Sequence, residues 1–176
     1  MTRHEFSISL ARPSEAAEIA WLSRDLIEQG LRWSWTSTRV AASVQRADAL
    51  VAVARSAPPI AGFGIMRYGD DEAHLDLLGV APPHRREGLG RRVVEWLEKP
   101  ALLAGISFVF LEVRASNHGA QAFYERLGYR RLGELAGYYQ GRESAIRMGR
   151  ELGCVDRPET ILSASLATGS VRLVHK

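Results

Sequence analysis

The period of apolar and polar positions changes several times along the chain, and each change marks an element. Phe6-Ser7-Ile8-Ser9-Leu10 alternates with period two and predicts a strand. Pro13-Ser14-Glu15 then opens a helix: Ser14 is a capping residue type, Ala17, Leu22 and Leu26 supply an apolar face, and Gly30 ends it. Thr36-Ser37-Thr38 starts a second, shorter helix running to about Ala47. Residues 50–54 and 60–68 are two strands joined by Ser56-Ala57-Pro58-Pro59, the signature of a hairpin. Gly69-Asp70-Asp71 is the next turn, and residues 73–80 form a third strand that Pro82-Pro83 stops.

The period then lengthens again. Val93, Val94, Leu97 and Leu102 give an amphipathic helix over residues 90–104, which Pro100 is expected to kink or shorten. Residues 107–114 are a β-branched and aromatic strand. Asn117 begins another helix, with Ala120, Phe123, Tyr124 and Leu127 on one stripe and Gly128 as its C-cap. Residues 129–137 and 144–150 are a final strand pair, and residues 171–174 are either a further strand or part of an unstructured tail. The order is strand, two helices, three strands, helix, strand, helix, two strands. It predicts a mixed α+β sheet covered by helices.

Composition changes this picture little. A chain of 176 residues with 46% hydrophobic and 24% charged residues is the size and make-up of one globular domain, expected over 1–152 with an extension over 153–176. There is no run of eighteen apolar residues for a membrane span, and Met1-Thr2-Arg3-His4-Glu5 does not open a secretory signal, so a cytoplasmic location and no membrane partner are expected. The single Cys154 excludes an internal disulfide and a cysteine-built metal site, and no metal is expected. Of 23 basic residues only Lys99 and Lys176 are lysine. The arginines are spread along the chain without a basic run, so nucleic acid is not an expected partner.

One segment does change the picture. Gly88 and Gly90 sit between a predicted strand and a predicted helix, with Arg85, Arg86, Arg91 and Arg92 around them. Glycine lets a backbone approach a ligand closely, and a helix N-terminus offers free N–H groups to an anion. The same residues also fit a plain strand-to-helix turn with a solvated charged face. Two phosphate motifs are excluded: no Gly-Lys-Ser/Thr follows, and Val93 stands where a dinucleotide fingerprint needs its third glycine.

Val80-Ala81-Pro82-Pro83-His84-Arg85-Arg86-Glu87-Gly88-Leu89-Gly90 resembles the signature of the GCN5-related N-acetyltransferase (GNAT) superfamily, Val-x-Pro followed by Arg/Gln-x-x-Gly-x-Gly/Ala. Leu111-Glu112-Val113-Arg114-Ala115-Ser116-Asn117 and Ala122-Phe123-Tyr124-Glu125-Arg126-Leu127-Gly128-Tyr129 resemble its second half, so the likeness covers about residues 5–150. Within the superfamily the chain is similar to the ribosomal-protein alanine N-acetyltransferases, which share the run 111–117 and a later Tyr-Tyr pair, here Tyr138-Tyr139. Ser144 stands where that branch has Asp.

The resemblance implies a mixed, mostly antiparallel, twisted sheet of six or seven strands flanked by about four helices. It also implies acetyl transfer from acetyl-CoA to a primary amine by direct attack in a ternary complex, in a monomer or homodimer. The acceptor stays open between a protein N-terminus, a lysine and a small amine. A non-catalytic acyl-CoA-binding module on the same fold is the alternative. Strand 73–80 would splay from strand 107–114 and pair the pantetheine arm near Leu78 and Val80, with Gly79 either a close-approach or a packing glycine. The turn through Ala81 and Pro82 would lead to the pyrophosphate, held by N–H groups of residues 88–93, Leu89 among them. Asn117 would contact the coenzyme, cap its helix, or do both.

Attack of an amine on a thioester needs a proton acceptor and a donor to the leaving thiolate. Glu112 is the first candidate base. Period two puts it on one strand face with Phe108, Phe110 and Arg114, where desolvation by the aromatics would raise its pKa; a salt bridge with Arg114 or a neighbour is the structural alternative. His74 and Asp76, expected on one face with Leu78, are reserve bases. Family position makes Tyr124 the general acid, and its place on the apolar stripe makes it a core residue otherwise. Trp33 and Trp35 between the first two helices, and Tyr138 and Tyr139, are candidate acceptor walls or packing staples. Gly88→Glu is expected to abolish acetyl-CoA binding, because it places a carboxylate in the phosphate cradle; equilibrium titration with the coenzyme checks it, and unchanged affinity would remove this loop from the site.

Overall fold

The computed structural model describes residues 5–56 and 59–153. The strand expected over 171–174 and nearly all of the extension over 153–176 lie outside those residues. Seven strands, β1 (Ser7–Leu10), β2 (Ala49–Arg55), β3 (Gly62–Tyr68), β4 (Glu72–Val80), β5 (Phe108–Arg114), β6 (Arg130–Tyr139) and β7 (Glu143–Glu151), form one sheet in the order β1-β2-β3-β4-β5-β7-β6. Neighbours are antiparallel except β4 and β5, which are parallel. Four α-helices flank the sheet: α1 (Ala16–Leu26), α2 (Ser37–Gln45), α3 (Leu89–Ala104) and α4 (His118–Arg126). None of them is long and apolar enough to cross a membrane.

Two apolar clusters hold the helices to opposite faces. Ile19 and Ala20 of α1 and Val40 of α2 pack with Val51, Val53, Phe63 and Ile65 on one face. Leu89, Val93, Val94, Leu97 and Ala101 of α3 and Tyr124 of α4 pack with Ala52, Met66, Leu75, Val109 and Leu111 on the other. Because β2 and β3 are covered on both faces, they are nearly continuous apolar runs rather than alternating ones.

Local chemistry differs from expectation at two helix starts or interiors. A one-turn 3₁₀ helix, Pro13–Glu15, precedes α1, and Glu15 rather than Ser14 closes the start by accepting the Arg12 N–H at 2.6 Å. Pro100 does not shorten α3, which runs on to Ala104 with Leu97 and Ala101 fully buried on either side of it. Burial of that apolar face outweighs the one lost backbone hydrogen bond. Also on α3, the buried Glu98 accepts from the Tyr129 hydroxyl at 2.7 Å and faces Arg150 Nη2 at 3.1 Å, tying the helix to β6 and β7. Burial raises its pKa, against the opposing effects of Tyr129 and Arg150.

The feature that positions the site is a bulge. Ile65 is opposite Leu77 and Met66 is opposite Leu75, so Asp76 is an extra residue in β4. An extra residue in a period-two strand reverses which face each later side chain takes. Ala73 and Leu75 belong to the α3/α4 cluster, Leu77 to the α1/α2 cluster, and Leu78 and Val80 return to the first. His74 therefore does not share a face with Leu78, contrary to the uninterrupted alternation expected from sequence.

Gly79 takes the α1/α2 face, where a Cβ would come within 2.5 Å of Phe63 Cε1. It is thus a packing glycine. Gly79→Ala is expected to cost about 1–3 kcal/mol by overpacking a fully buried ring. Gly133→Ala, where a Cβ meets nothing within 4 Å, is expected to be neutral or stabilising by about 0.5 kcal/mol. Thermal unfolding of the two variants beside the parent chain checks the pair, and equal melting temperatures would refute the packing role.

Candidate active site

β4 and β5 pair only from Glu72↔Phe108 to His74↔Phe110, then diverge. β5 stays paired with β7 along its whole length, so the gap opens on the β4 side. A cleft of about 480 Å³ fills it, and Leu78, Glu112, Asn117, Tyr124, Tyr138 and Tyr139 are among its walls. The structure thus brings both candidate catalytic residues and both tyrosines of the 138–139 pair to one cavity. His74, Asp76 and Trp35 line it too.

At one end of the gap β4 runs through Ala81 and Pro82 into the loop before α3. Arg86 and Gly88 both have left-handed backbones, φ 65° and 78°. Successive turns of that kind point neighbouring N–H groups to one side, a concavity suited to an anion. The first bond of α3 runs from the Arg92 N–H to the Gly88 carbonyl at 3.1 Å. The N–H groups free for a ligand are therefore those of the first turn, Leu89, Gly90 and Arg91, a shorter stretch than residues 88–93. Leu89 offers only its backbone, since its side chain is buried in the core.

The cations around this loop are mostly engaged. Arg85 Nε donates to the Val80 carbonyl at 3.0 Å, Arg92 Nη2 to the Phe6 carbonyl at 2.8 Å, and Arg91 faces Glu95 at 3.7 Å. Arg92 thereby also anchors the chain before β1. Gly90 lies under Phe123, whose Cζ would stand 3.2 Å from an added Cβ, so it also lets α4 close on α3. Asn117 caps α4 by accepting the Ala120 N–H at 3.0 Å while lining the cleft.

At the other end lies a chain of charges on the sheet face away from α3 and α4. His74 Nε2 lies 2.5 Å from Glu112 Oε2, and His74 Nδ1 faces Asp76 Oδ1 and, at 2.8 Å, Arg67 Nη2. Arg67 grips Asp76 from Nε and Nη2 at 2.6 and 2.7 Å, and Arg147 Nε faces Glu112 Oε1 at 3.5 Å while its guanidinium lies over Phe110. The Tyr138 hydroxyl donates to Glu112 Oε2 at 3.4 Å, and that of Tyr139 to the Glu112 carbonyl at 3.3 Å. A carboxylate beside each ring nitrogen favours the protonated imidazole. Burial alone would lower the pKa of His74, but hydrogen bonds and charge from Asp76 and Glu112 outweigh it and raise the value to about 9.

The expected rise in the Glu112 pKa is thus reversed. Burial pushes it up, yet the His74 hydrogen bond and charge, with Arg147 behind them, hold it below the usual carboxylate range. Its salt-bridge partners are His74 and Arg147 rather than Arg114, which pairs with Glu143 at 3.6 Å. Tyr124 is buried, with its pKa pushed above the ordinary phenol by that burial, so its hydroxyl stays protonated.

The roof of the cleft was not legible in advance. Gln140 and Arg32 exchange two hydrogen bonds at 2.9 Å, Arg32 N–H to Gln140 Oε1 and Gln140 Nε2 to the Arg32 carbonyl, joining the α1–α2 connection to the β6–β7 turn. Buried Glu28 accepts from Ser34 N at 2.9 Å, from the Ser34 hydroxyl and from Trp35 N at 3.2 Å, and so fixes that connection. Trp35 lines the cleft with Arg39 over its ring at 3.9 Å, but Trp33 does not; it packs on Trp21, with Arg24 over both rings. Arg67 was also missed. The hairpin turn at 69–71 carried the signal, because its register sets Arg67 opposite His74.

The sequence pattern of the Acetyltransferase (GNAT) family matches residues 14–129. The [ribosomal protein bS18]-alanine N-acetyltransferase of Escherichia coli K12 is 41% identical over 92 residues. That stretch is 51% of this chain and 62% of the relative, so the match spans less than two thirds of the relative's length. The crystal structure of the ribosomal-protein-S18-alanine N-acetyltransferase from Escherichia coli superposes with a TM-score of 0.74 at 29% identity, covering 88% of this chain and 98% of that one. That of Arabidopsis thaliana NAA60 in complex with acetyl-CoA gives 0.73 at 19% identity over 84% and 99%, a likeness of fold.

The raised pKa of His74 has a consequence for stability. Below about pH 6.5 both folded and unfolded chains hold the proton, so the bridge stabilises fully; as pH rises toward about 9 only the folded chain holds it and the contribution is lost. The stability gap between the parent chain and His74→Gln is therefore expected to be largest below pH 6.5 and to shrink up to pH 9. Chemical denaturation across that range checks it; a gap that does not change with pH would show that His74 is not charged.

Proposed function

The chain belongs to the Acetyltransferase (GNAT) family, and from that premise we propose that it transfers an acetyl group from acetyl-CoA to a protein or peptide α-amine by direct attack in a ternary complex. The observation that carries this reading is the divergence of β4 and β5 after His74 and Phe110, which opens one cleft to Glu112 on one side and Tyr124 on the other. The unpaired edge of β4 beyond His74 offers backbone groups to a pantetheine amide near Leu78 and Val80. The first-turn N–H groups of α3 and the exposed Arg86 receive the pyrophosphate. Asn117 Oδ1 is committed to its cap, which leaves the amide Nδ2 as its donor to the coenzyme.

In the reaction the amine nitrogen attacks the thioester carbonyl, the C–N bond forms and the C–S bond breaks. The proton lost by the amine passes through water to Glu112, and the leaving thiolate takes a hydrogen bond from Tyr124. A thiol near pKa 8.5 is a stronger acid than a phenol near 10, so Tyr124 stabilises the thiolate chiefly as a hydrogen-bond donor. Solvent then returns the balance of protons.

The acceptor class follows from the weakness of the base. Glu112 is held ionised by His74 and Arg147, and a poor proton acceptor serves an amine that loses its proton readily to solvent. An α-amine with a pKa of about 7.7–8.0 keeps a far larger neutral fraction near pH 7 than a lysine at about 10.4. The similar Escherichia coli enzyme is named for an alanine of ribosomal protein bS18, and an alanine has no side-chain amine. Location in the cytoplasm and action as a monomer or homodimer accord with this reading.

Tyr124→Phe is expected to lower kcat by about 10²-fold with little change in acetyl-CoA affinity. Coenzyme release with an N-terminal peptide, beside a coenzyme titration, checks it. Equal turnover would return Tyr124 to the core, and binding without turnover by the parent chain on any amine would favour a non-catalytic coenzyme-binding module.

A further inference from the structure

Resting on that reading, we infer that the preferred acceptor carries a carboxylate on its second residue and that Arg67 reads it. The ionic groups facing the acceptor end are Arg67 on β3, His74 and Asp76 on β4, Glu112 and Arg114 on β5 and Arg147 on β7, with Glu28 and Arg39 across the cleft. Arg114 is paired with Glu143, and Glu28 is spent on the backbone of Ser34 and Trp35. Arg39 lies across the cleft over the Trp35 ring. In the cluster itself Asp76 lies between Arg67 and His74, and Glu112 between His74 and Arg147. With His74 protonated, the cluster carries three cations to two carboxylates.

The charges are also layered. The side chains of Asp76 and Glu112 are only 7% and 8% exposed, while those of Arg67 and Arg147 are 50% and 41% exposed. An approaching acceptor meets guanidinium first and carboxylate behind it. Arg67 spends Nε and Nη2 on Asp76, with Nη2 also 2.8 Å from His74 Nδ1, and its Nη1 has no hydrogen-bond partner among the described residues. Arg67 is one of the residues that line the cleft. A charged N–H donor left without a partner there suits a carboxylate.

The spacing agrees. β3 and β5 are two strand spacings apart, roughly 10 Å. With its α-amine at Glu112, an extended peptide sets the carboxylate of its second residue roughly 6–8 Å away, within reach of a side chain rising from β3. A basic second residue would instead meet the half-exposed Arg67 and Arg147 and bind less well.

The test uses three N-terminal peptides that differ only at residue two, with Asp, Ala or Lys. Calorimetric binding to the coenzyme A-bound chain and turnover with acetyl-CoA are both measured. Asp is expected to bind about tenfold more tightly than Ala, and Ala more tightly than Lys, with the difference appearing in KM and fading at high salt. Arg67→Gln is expected to flatten the ranking and Arg67→Lys to restore part of it; the ranking rather than absolute activity is read, so partial loss of Asp76 alignment does not mimic the result. A flat ranking in the parent chain, a preference for Lys, or a ranking unchanged in Arg67→Gln overturns the inference. The expected binding ranking without turnover would support it and overturn the transferase reading instead.

Discussion

The site depends on a limit to strand pairing. Parallel β4 and β5 share only three residue pairs before they part. The Asp76 bulge falls immediately beyond them and reverses the facing of every later residue in β4. A bulge raises local twist and bends its strand, which accounts for the departure of β4 from β5 while β5 stays flat against β7. The same extra residue brings a carboxylate to His74, so one irregularity both opens the cleft and assembles the charges at its mouth. Without it, His74 and Leu78 would share a face, and the polar end of the cleft would run into the α3/α4 core.

The charge chain that results is tuned against the simplest mechanistic expectation. A carboxylate among aromatics would become a stronger base by desolvation. Here the desolvation is real, but an imidazolium at hydrogen-bond distance opposes it and wins. His74 in turn is charged only because two carboxylates share it. Each buried carboxylate has two cationic partners, so losing one cation loosens it without leaving it unpaired. The group is therefore a unit that fixes the rotamer of Glu112, and its chemistry is that of a positioned, weak acceptor.

The donor half of this arrangement was legible in the sequence and the acceptor half was not, for a physical reason. The coenzyme side of the proposed site is backbone: a strand edge, left-handed Arg86 and Gly88, and the first turn of a helix. Such geometry constrains residue type at short spacing, so Val80-Ala81-Pro82 and the glycines announce it. Tyr124, Asn117 and Glu112 stand close in sequence on α4, its cap and β5, and all three line the cleft. The roof made by Gln140 with Arg32, and the hub at Glu28, join positions separated by up to 108 residues through side chains alone, and no local pattern marks them. The facing of His74 was misassigned because a bulge leaves no trace in an alternating stretch such as residues 72–80.

The contrast also explains how one scaffold keeps its donor while changing its acceptor. Arg92 and Leu89 show that even in the loop before α3 side chains serve the core and the chain before β1. A substitution there must preserve a backbone conformation. At the opposite end Arg67, Arg147 and Tyr138 are exposed or half-exposed side chains on β3, β7 and β6, whose backbone pairing does not use them. An acceptor surface made of such groups would be free to vary where the backbone of the loop before α3 is not. Ser144 fits this division: its carbonyl holds the Ala115 N–H at 2.9 Å, a contact any residue there can make.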